Sequence, residues 1–457
     1  MEKLRFFLAL WISKVSKLIL KITKHNATNF PGVVALKICP NFLKYVQYPQ
    51  KLVGVTGTNG KTTVSNLLTD SLRMLGKNVL NNSEGSNINS GIATTMMNSV
   101  NFFNKQKNDI GVLEIDELSM RRISDYVKPD ILLITNLSRD SVMRNAHPEY
   151  IRGVIENNLS DNTKLILNAD DLLSCFTRKE NERVYFSIDR LESDSDFSNN
   201  LIDDMKICPK CNSPIAYEYN RYSNIGKAYC THCDFKSPEG DMRIVKMTDK
   251  NIDVLYNGEV YSVKNISDSI FNAYNELALI TILKVLGYDF SDIASVVEKI
   301  QITKSRYDVT EIAGRKFYFI LAKDRNAYAT SRVLEYVMEQ EGNKEILLYN
   351  NNFDDALRWS ENVSWIYDCD FELLADDSVK GVITTADRGL DYKLRLLTAG
   401  IPKNKIHYAE DPVDGVNYID FDSKNNIFLL YGTDTSKRVI QAKKMILDEL
   451  NKIEGKL

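Results

Sequence analysis

A short run of glycine, threonine and lysine residues has the composition of a phosphate-binding loop. It reads Gly57-Thr58-Asn59-Gly60-Lys61-Thr62-Thr63. The N–H groups of such a loop and the positive end of the following helix attract an anion, the lysine reaches the terminal phosphates, and a threonine hydroxyl binds Mg²⁺. The run therefore predicts nucleotide and Mg²⁺ binding, with Thr62 as a magnesium ligand. The alternative is a glycine turn between core elements, since the common phosphate loop has glycine where Val55 stands.

Four cysteines form a second group with chemical potential. They are Cys208, Cys211, Cys230 and Cys233, two CxxC pairs 18 residues apart. Four thiolates at this spacing predict a tetrahedral Zn²⁺ site in a ribbon at about residues 206–240. Such a site is structural, because it leaves no open coordination position, and His232 is a bystander. A pair of redox CxxC units is the competing interpretation.

The elements around the glycine-rich run must position it. Residues 51–56 alternate and carry β-formers, which predicts a buried strand. From Lys61 the apolar residues recur on one helical face until Gly76, which predicts a helix. Further predicted strands, most of them followed by helix-length segments, indicate a mainly parallel, doubly wound α/β sheet. Ligands bind such sheets at the carboxyl ends of the strands, where Glu114, Asp116 and Glu117 are expected.

Length and composition describe a globular protein of several domains. The chain has 457 residues, 44% of them hydrophobic, and a net charge of −3, which gives no indication of a nucleic-acid surface. Three scattered cysteines beside the two pairs fit reduced thiols in the cytosol. We predict a lead-in at 1–50, a central nucleotide-binding domain at 51–305 and a smaller C-terminal α/β domain at 306–457.

The N-terminal segment Met1–Lys24 interleaves apolar and basic residues. Its longest apolar run is too short to span a bilayer, and no small-residue cleavage site follows it. The pattern predicts an amphipathic helix with two open interpretations. It lies on an anionic membrane at the inner face, or it packs its apolar face on the next domain.

The motif GTNGKTT, together with FNAYNELALITILKVLG at residues 271–287, resembles the Mur ligase family. These enzymes join amino acids to peptidoglycan precursors through acyl phosphates. The resemblance implies that Glu114 helps to hold Mg²⁺, that Asn275 contacts the nucleotide and that Arg306 contacts ATP. Without the resemblance, Glu114 is a solvated strand-end acid, Asn275 a polar surface residue and Arg306 a linker charge.

Three features narrow the resemblance to one subfamily of Mur ligases. They are the cysteine ribbon, the segment at residues 351–372 and the segment at residues 384–401. The subfamily comprises the synthetase subunits of lipid II isoglutaminyl synthases, which amidate the α-carboxyl of D-glutamate in lipid II. The resemblance implies a heterodimer with a GatD-like glutaminase that supplies ammonia. It also implies that Asp355 completes the catalytic residues of that partner, with Asp354 as its rival. A loop carboxylate that caps the following helix is the alternative.

The expected chemistry is phosphorylation of a carboxylate, which turns its oxygen into a leaving group. Lys61, Glu114 and Mg²⁺ would position and neutralise the charged groups. Several segments depart from the subfamily pattern, including Ala356 after Asp355 and the region around Arg139 and Asp140. Two alternatives therefore stay open: an ATP-dependent ligase that adds an amino acid, and a nucleotide- and zinc-binding scaffold without turnover.

Overall fold

The structure is a computed structural model that describes residues 1–25, 27–82, 87–139, 147–267, 269–300, 307–323, 325–349, 362–432 and 437–455. The chain separates into two compact units. The first holds the described residues within Met1–Ser138, His147–Asn199 and Asp203–Ile302. The second holds those within Arg139–Ala146, Asn200–Ile202 and Thr303–Leu457.

The first unit contains helices and strands in alternation. Its helices are α1 (Glu2–Ile22), α2 (Phe30–Ile38), α3 (Phe42–Tyr45), α4 (Lys61–Met74), α5 (Asn89–Ser99), α6 (Met120–Ile123), α7 (Pro148–Asn157), α8 (Ile270–Val285) and α9 (Phe290–Lys299). Its strands are β1 (Lys51–Thr56), β2 (Val79–Asn81), β3 (Ile110–Glu114), β4 (Ile131–Ile134), β5 (Lys164–Asn168), β6 (Arg183–Ile188), β7 (Ile215–Tyr222), β8 (Ile225–Cys230), β9 (Met242–Met247), β10 (Asn251–Tyr256) and β11 (Glu259–Lys264).

The main sheet of this unit has nine strands in the order β11-β10-β9-β6-β5-β4-β1-β3-β2. The strands from β2 to β9 in this order pair in parallel, and β10 and β11 extend the sheet in antiparallel fashion. β1 lies between β3 and β4, and its Val53 and Val55 are fully buried. Apolar residues on both faces are typical of a parallel strand covered by helices on each side. The strand that precedes the glycine-rich run is thus held in the middle of the sheet.

The N-terminal helices pack on this unit. Phe6 and Leu10 of α1 are buried in the same core cluster as Phe42 of α3 and Met96 of α5. Docking of one α1 face on the next part of the chain, one of the two interpretations of the sequence, is therefore observed. In the part of the chain that the structure describes, no helix has the length and apolar character needed to cross a membrane.

The second unit is a smaller α/β domain. Its elements are β12 (Tyr307–Ile312), β13 (Arg315–Leu321), α10 (Ala327–Glu339), β14 (Lys344–Tyr349), β15 (Val379–Thr385), α11 (Gly389–Thr398), β16 (Ile406–Ala409), α12 (Pro412–Gly415), β17 (Asn426–Tyr431) and α13 (Lys437–Glu454). Six strands form a sheet in the order β12-β13-β17-β14-β15-β16, in which only β12 pairs antiparallel. Short 3₁₀ helices in the two units lie at Glu117–Ser119, Ser364–Asp368, Phe371–Ala375, Lys403–Lys405 and Val416–Tyr418.

Candidate nucleotide site and cysteine cluster

The glycine loop, residues 57–60, connects β1 to α4 as the sequence predicts. Gly57 and Gly60 have φ angles of +123° and +87°, which residues with a side chain adopt only with strain. The first intrahelical hydrogen bond runs from the Val64 N–H to the Gly60 carbonyl oxygen at 2.9 Å. The N–H groups that open α4 have no acceptor inside the helix, so this end of α4 can receive an anion.

The exit of β4 holds the loop in place. The Thr58 N–H donates to the Asn136 carbonyl oxygen at 2.8 Å, and the Ser138 N–H donates to Thr58 Oγ1 at 3.0 Å. The Thr135 hydroxyl donates to the Asn59 carbonyl oxygen at 2.6 Å. These bonds satisfy the loop's own polar groups from the side of β4. The β4 exit therefore fixes the conformation of the glycine loop.

Asn275 of α8 lies directly against the glycine loop. A Cβ atom built on Gly60 would stand 2.4 Å from Asn275 Oδ1, a distance that only a glycine allows. Asn275 is 8% exposed, and its amide donates to Asn272 Oδ1 at 3.2 Å. The structure thus brings together two segments, far apart in sequence, that both carry the Mur ligase resemblance.

Lys61 is shielded from solvent and held by oxygen atoms. Its ammonium nitrogen lies 2.9 Å from Glu117 Oε1 and donates to the Gly57 carbonyl oxygen. Burial alone would lower the pKa of Lys61, but the negative charges of Glu117, Glu114 and Asp116 outweigh it and hold that pKa above its usual value. The ammonium group therefore stays charged, as a phosphate-binding lysine must.

Glu114 ends β3 beside the glycine loop, where its backbone pairs with Val55. Its side chain is largely buried and accepts a hydrogen bond from Asn87 Nδ2 at 3.0 Å. Thr62, the second predicted magnesium ligand, is exposed at the start of α4. Carboxylate and hydroxyl oxygens are the hard ligands that Mg²⁺ prefers, so this donor set fits the ion.

Glu117 is the side chain of the candidate site that the sequence places only loosely. The sequence predicts it among three acids at a strand end, with no particular partner. The bond to Lys61 arises because Asp116 accepts from the Ser119 N–H at 3.0 Å and starts the 3₁₀ helix that carries Glu117. The sequence offers one signal for this contact, which is that Glu117 follows the end of β3 by three residues.

The four paired cysteines form one cluster at the end of the β7–β8 hairpin. Their sulfur atoms lie within 4.8 Å of one another, with Cys208 Sγ 3.6 Å from Cys233 Sγ and Cys211 Sγ 3.4 Å from Cys230 Sγ. Tetrahedral Zn²⁺ with sulfur ligands at about 2.3 Å sets the sulfur–sulfur distance near 3.8 Å. The cluster therefore fits this ion. His232 takes part through its backbone N–H, which donates to Cys230 Sγ.

A buried ion-pair network joins the cysteine hairpin to the central sheet. The Arg221 guanidinium contacts Asp194 at 2.7 Å and Asp170 at 3.3 Å, and all three side chains are at most 3% exposed. The Tyr274 hydroxyl donates to Asp170 Oδ2 at 2.6 Å. Since Tyr274 precedes Asn275 on α8, this network fixes the helix that lies against the glycine loop.

A second connection runs from the hairpin turn to β4. The side-chain amide of Asn224 donates to Asp171 Oδ1 at 2.9 Å, and the Leu137 N–H donates to Asp171 Oδ2 at 2.6 Å. Leu137 stands between Asn136 and Ser138, which both bond to the glycine loop. The hairpin turn thus contributes to the support of the candidate nucleotide site.

Three predicted residues lie outside the described part of the chain. Arg306, Asp354 and Asp355 all fall in the stretches that the structure leaves out, as does Asp140. The other predicted site residues form two groups: the glycine loop with Glu114 and Asn275, and the four cysteines.

Comparisons with known proteins extend these observations to the whole chain. The family model of the Mur ligase middle domain matches residues 55–202, and that of the MurT ligase C-terminal domain matches residues 324–434. The Streptococcus pneumoniae protein named lipid II isoglutaminyl synthase (glutamine-hydrolyzing) subunit MurT is 29% identical over 387 residues, which span 83% of this chain and 84% of that protein. The chain is thus a ligase similar to MurT over most of its length.

Two further comparisons show the same similarity. The Staphylococcus aureus (strain COL) subunit MurT is 29% identical over 408 residues, 87% of this chain and 89% of its own. Among solved structures, a pseudomurein peptide ligase type C from Methanothermus fervidus superposes with a TM-score of 0.65 at 20% identity, over 90% of this chain and 80% of its own. The likeness to that structure establishes the Mur ligase-like α/β fold that the sequence predicts.

Proposed function

We propose that this chain is the ATP-dependent synthetase subunit of a lipid II isoglutaminyl synthase. Its relatives of that name match more than four fifths of the chain, and both family models belong to Mur ligase domains. The observation that carries the proposal is the charged Lys61 at the start of α4, beside the acids Glu114 and Glu117. This arrangement binds a triphosphate and leaves carboxylates to hold its metal.

The proposed reaction makes an amide from a carboxylate. An oxygen of the D-glutamate α-carboxylate attacks the γ-phosphorus of ATP, the bond to the ADP oxygen breaks, and an acyl phosphate forms. Ammonia then attacks the acyl carbon, loses a proton, and phosphate leaves. Mg²⁺ supplies charge neutralisation when it is bound by Thr62 and Glu114. The chain itself orients the phosphates through the glycine loop and Lys61, and Asn275 and Arg306 contact the nucleotide.

Ammonia comes from a glutaminase partner in this proposal. The printed name of the relatives includes glutamine hydrolysis and the word subunit, and the chain carries no cysteine–histidine motif of a glutaminase. Residues 306–457 bind the partner, and Asp355 orients its catalytic histidine. Zn²⁺ on the four cysteines stabilises the β7–β8 hairpin. The acceptor is lipid-linked, so the complex works at the inner face of the membrane.

Reconstitution tests the proposal. The purified chain, lipid II, Mg·ATP and ¹⁵N-ammonium should give ¹⁵N-labelled D-isoglutamine by mass spectrometry, and the Lys61→Ala variant should lose at least about 100-fold of this activity. Lys51→Ala is the matched control, because Lys51 is half exposed and its ion pair with Asp130, at 3.7 Å, is also largely solvated. ATP hydrolysis that depends on an amino acid but not on ammonium would favour an amino acid ligase. ATP binding by calorimetry without turnover of any acceptor would favour the nucleotide- and zinc-binding scaffold, and no ATP binding at all would overturn the proposal.

A further inference from the structure

Helix α1 carries apolar residues on two opposite faces. One face is buried and includes Phe6, Ala9, Leu10 and Ser13. The opposite face has apolar side chains at helical spacing, each 43–72% exposed: Leu4, Leu8, Trp11, Val15, Leu18 and Ile22. Steps of four and three residues place these six on one stripe along the helix. A helix on the surface of a soluble protein normally turns polar residues outward, so this stripe needs an apolar partner.

The exposed stripe continues onto a neighbouring loop. The Trp11 indole N–H donates to the Phe102 carbonyl oxygen at 2.9 Å, which ties the loop after α5 to the helix. Phe102 and Phe103 are 58% and 78% exposed. Two largely exposed aromatic rings therefore lie on the loop that the indole holds, with the Lys14 ammonium 5.6 Å from the centre of the Phe102 ring. Tryptophan and phenylalanine are residues that enter the interface of a bilayer. We call the stripe and these two rings the apolar surface.

Positive charge surrounds the apolar surface. Residues 1–50 contain eight lysine and arginine residues and one acidic residue, Glu2, although the whole chain has a net charge of −3. Lys3 and Lys21 on the helix and Lys24 just after it are exposed, as are Lys105 and Lys107 after the aromatic loop. An excess of cations around an apolar stripe complements anionic lipid headgroups over acyl chains.

We propose that the apolar surface binds the protein to the surface of an anionic lipid bilayer. Helix α1 would lie in the plane of the interface with its stripe in the acyl boundary and its lysines at the headgroups. A second copy of the chain is the less favourable occupant, because pairing two such surfaces would bring two sets of cations together. The proposal stands on the exposed residues and their charge and does not require a particular acceptor.

The position of the surface suits a ligase with a lipid-linked acceptor. Lys14 of α1 donates to the carbonyl oxygens of Met97 and Val100 at 2.7 and 2.8 Å, at the end of α5. The other end of α5 begins two residues after Asn87, which bonds to Glu114. An eleven-residue helix rises about 16 Å, so α5 connects the apolar surface to the candidate nucleotide site over that distance.

Vesicle co-sedimentation of the full chain tests the proposal. We expect binding to vesicles of phosphatidylcholine with 30% phosphatidylglycerol at least about 10-fold stronger than to phosphatidylcholine alone, and weaker binding at 500 mM salt. The double variant Leu18→Glu/Ile22→Glu should bind at least about 10-fold more weakly, because it puts two charges into the acyl boundary. Brominated lipids should quench the fluorescence of Trp11, and the Trp11→Phe variant should lose this quenching.

The matched control is an apolar stripe of the second unit. Leu390 and Leu394 of α11 are 60% and 53% exposed, so Leu390→Glu/Leu394→Glu makes the same change on another helix and should leave vesicle binding unchanged. Equal sedimentation of the wild type and the Leu18→Glu/Ile22→Glu variant would overturn the proposal. So would a wild-type dimer in ultracentrifugation that this variant converts to a monomer. Turnover of a soluble stem-peptide acceptor tests the ligase function separately from either result.

Discussion

Lys61 and Glu117 form a buried ion pair, 2.9 Å from ammonium nitrogen to carboxylate oxygen, at the start of α4. Their side chains are 13% and 6% exposed, so water compensates neither charge fully. The pair gives the lysine a counter-ion when no phosphate is bound. In the proposed function a triphosphate takes over this role, which would link the stability of the site to its occupancy.

We expect Glu117→Gln to destabilise the free protein by about 2–4 kcal/mol, since it leaves the Lys61 charge poorly compensated. Mg·ATP should raise the Tm of this variant more than that of the wild type, because the phosphates replace the lost carboxylate. Thermal unfolding with and without Mg·ATP measures both effects. The control is Glu182→Gln, which breaks the 2.7 Å pair with Lys164 where Glu182 is 72% exposed. A similar loss in both variants would contradict the prediction.

The contact between Gly60 and Asn275 gives a second prediction. Gly60→Ala should abolish measurable nucleotide binding, since its methyl group would meet Asn275 Oδ1 at 2.4 Å and its φ is +87°. Gly76→Ala has nearly the same φ, +78°, but no atom within 4 Å of the new methyl group, and should cost only about 1 kcal/mol of stability. Calorimetric titration with Mg·ATP distinguishes the two. Unchanged ATP affinity in Gly60→Ala would contradict the prediction, because it would mean that the contact between Asn275 and the glycine loop has no part in nucleotide binding.

The cysteine cluster predicts one equivalent of tightly bound zinc. Cys233→Ser should lose most of the metal and lower the Tm, because the hairpin then lacks a ligand of its tetrahedral site. His232→Ala should keep the full equivalent, since the imidazole is not among the clustered ligand atoms. Metal analysis by plasma mass spectrometry of both variants is the measurement. Less than half an equivalent of zinc in the wild type would count against the site.

The network around Arg221 should contribute strongly to folding. Arg221→Met leaves Asp170 and Asp194 buried without their cation, and we expect a loss of about 3–5 kcal/mol in the free energy of unfolding. Arg190→Met is the matched control: it removes a 2.8 Å pair with Asp196 whose side chains are 53% and 72% exposed. Its loss should stay below about 1 kcal/mol. Urea denaturation compares the two, and equal losses would mean that the network is not stabilising.

Glu276 should make stability fall as the pH rises. It is fully buried on α8, and burial raises its pKa to about 8, although the Ile266 N–H donates to Oε2 at 3.1 Å. The folded state therefore binds a proton that the unfolded state releases near pH 4.5. The resulting stability is fully present below that pH and is lost progressively up to about pH 8.

The Glu276→Gln variant isolates this effect. The amide is neutral at every pH, so the stability of the variant should depend less on pH than that of the wild type between pH 5 and about pH 8. Relative to the wild type, the variant should gain stability as the pH rises through this window. Urea midpoints at pH 5 and pH 8.5 measure the difference. A constant gap between the two proteins would show that Glu276 stays ionised in the folded state.

Local pattern was sufficient to predict the elements of the candidate site. β1 ends at Thr56 and α4 begins at Lys61, as the alternation and the apolar stripe indicate. The cysteine cluster also follows from spacing, because two CxxC turns on a hairpin meet wherever the hairpin lies. These features depend on residues that are close in sequence, where backbone geometry leaves few options.

Long-range partners could not be read from the sequence. Arg221 meets Asp170 across 51 residues, and Asn275 of α8 lies against Gly60 at the other end of the unit's sequence. The sequence likewise does not show which apolar face of α1 is buried and which is exposed, because both faces carry the same kinds of side chain. In each case tertiary packing, and not local preference, selects the contact.

The cysteine hairpin lies within the crossover that joins two neighbouring strands. β6 ends at Ile188 and pairs in parallel with β9, which begins only at Met242. A connection of this length slows strand pairing, because its ends must find each other before any contact compensates the lost chain entropy. Metal capture by Cys208 and Cys233 would shorten the effective connection while the rest of the chain is still searching. The order in which this protein folds would then depend on when the ion arrives.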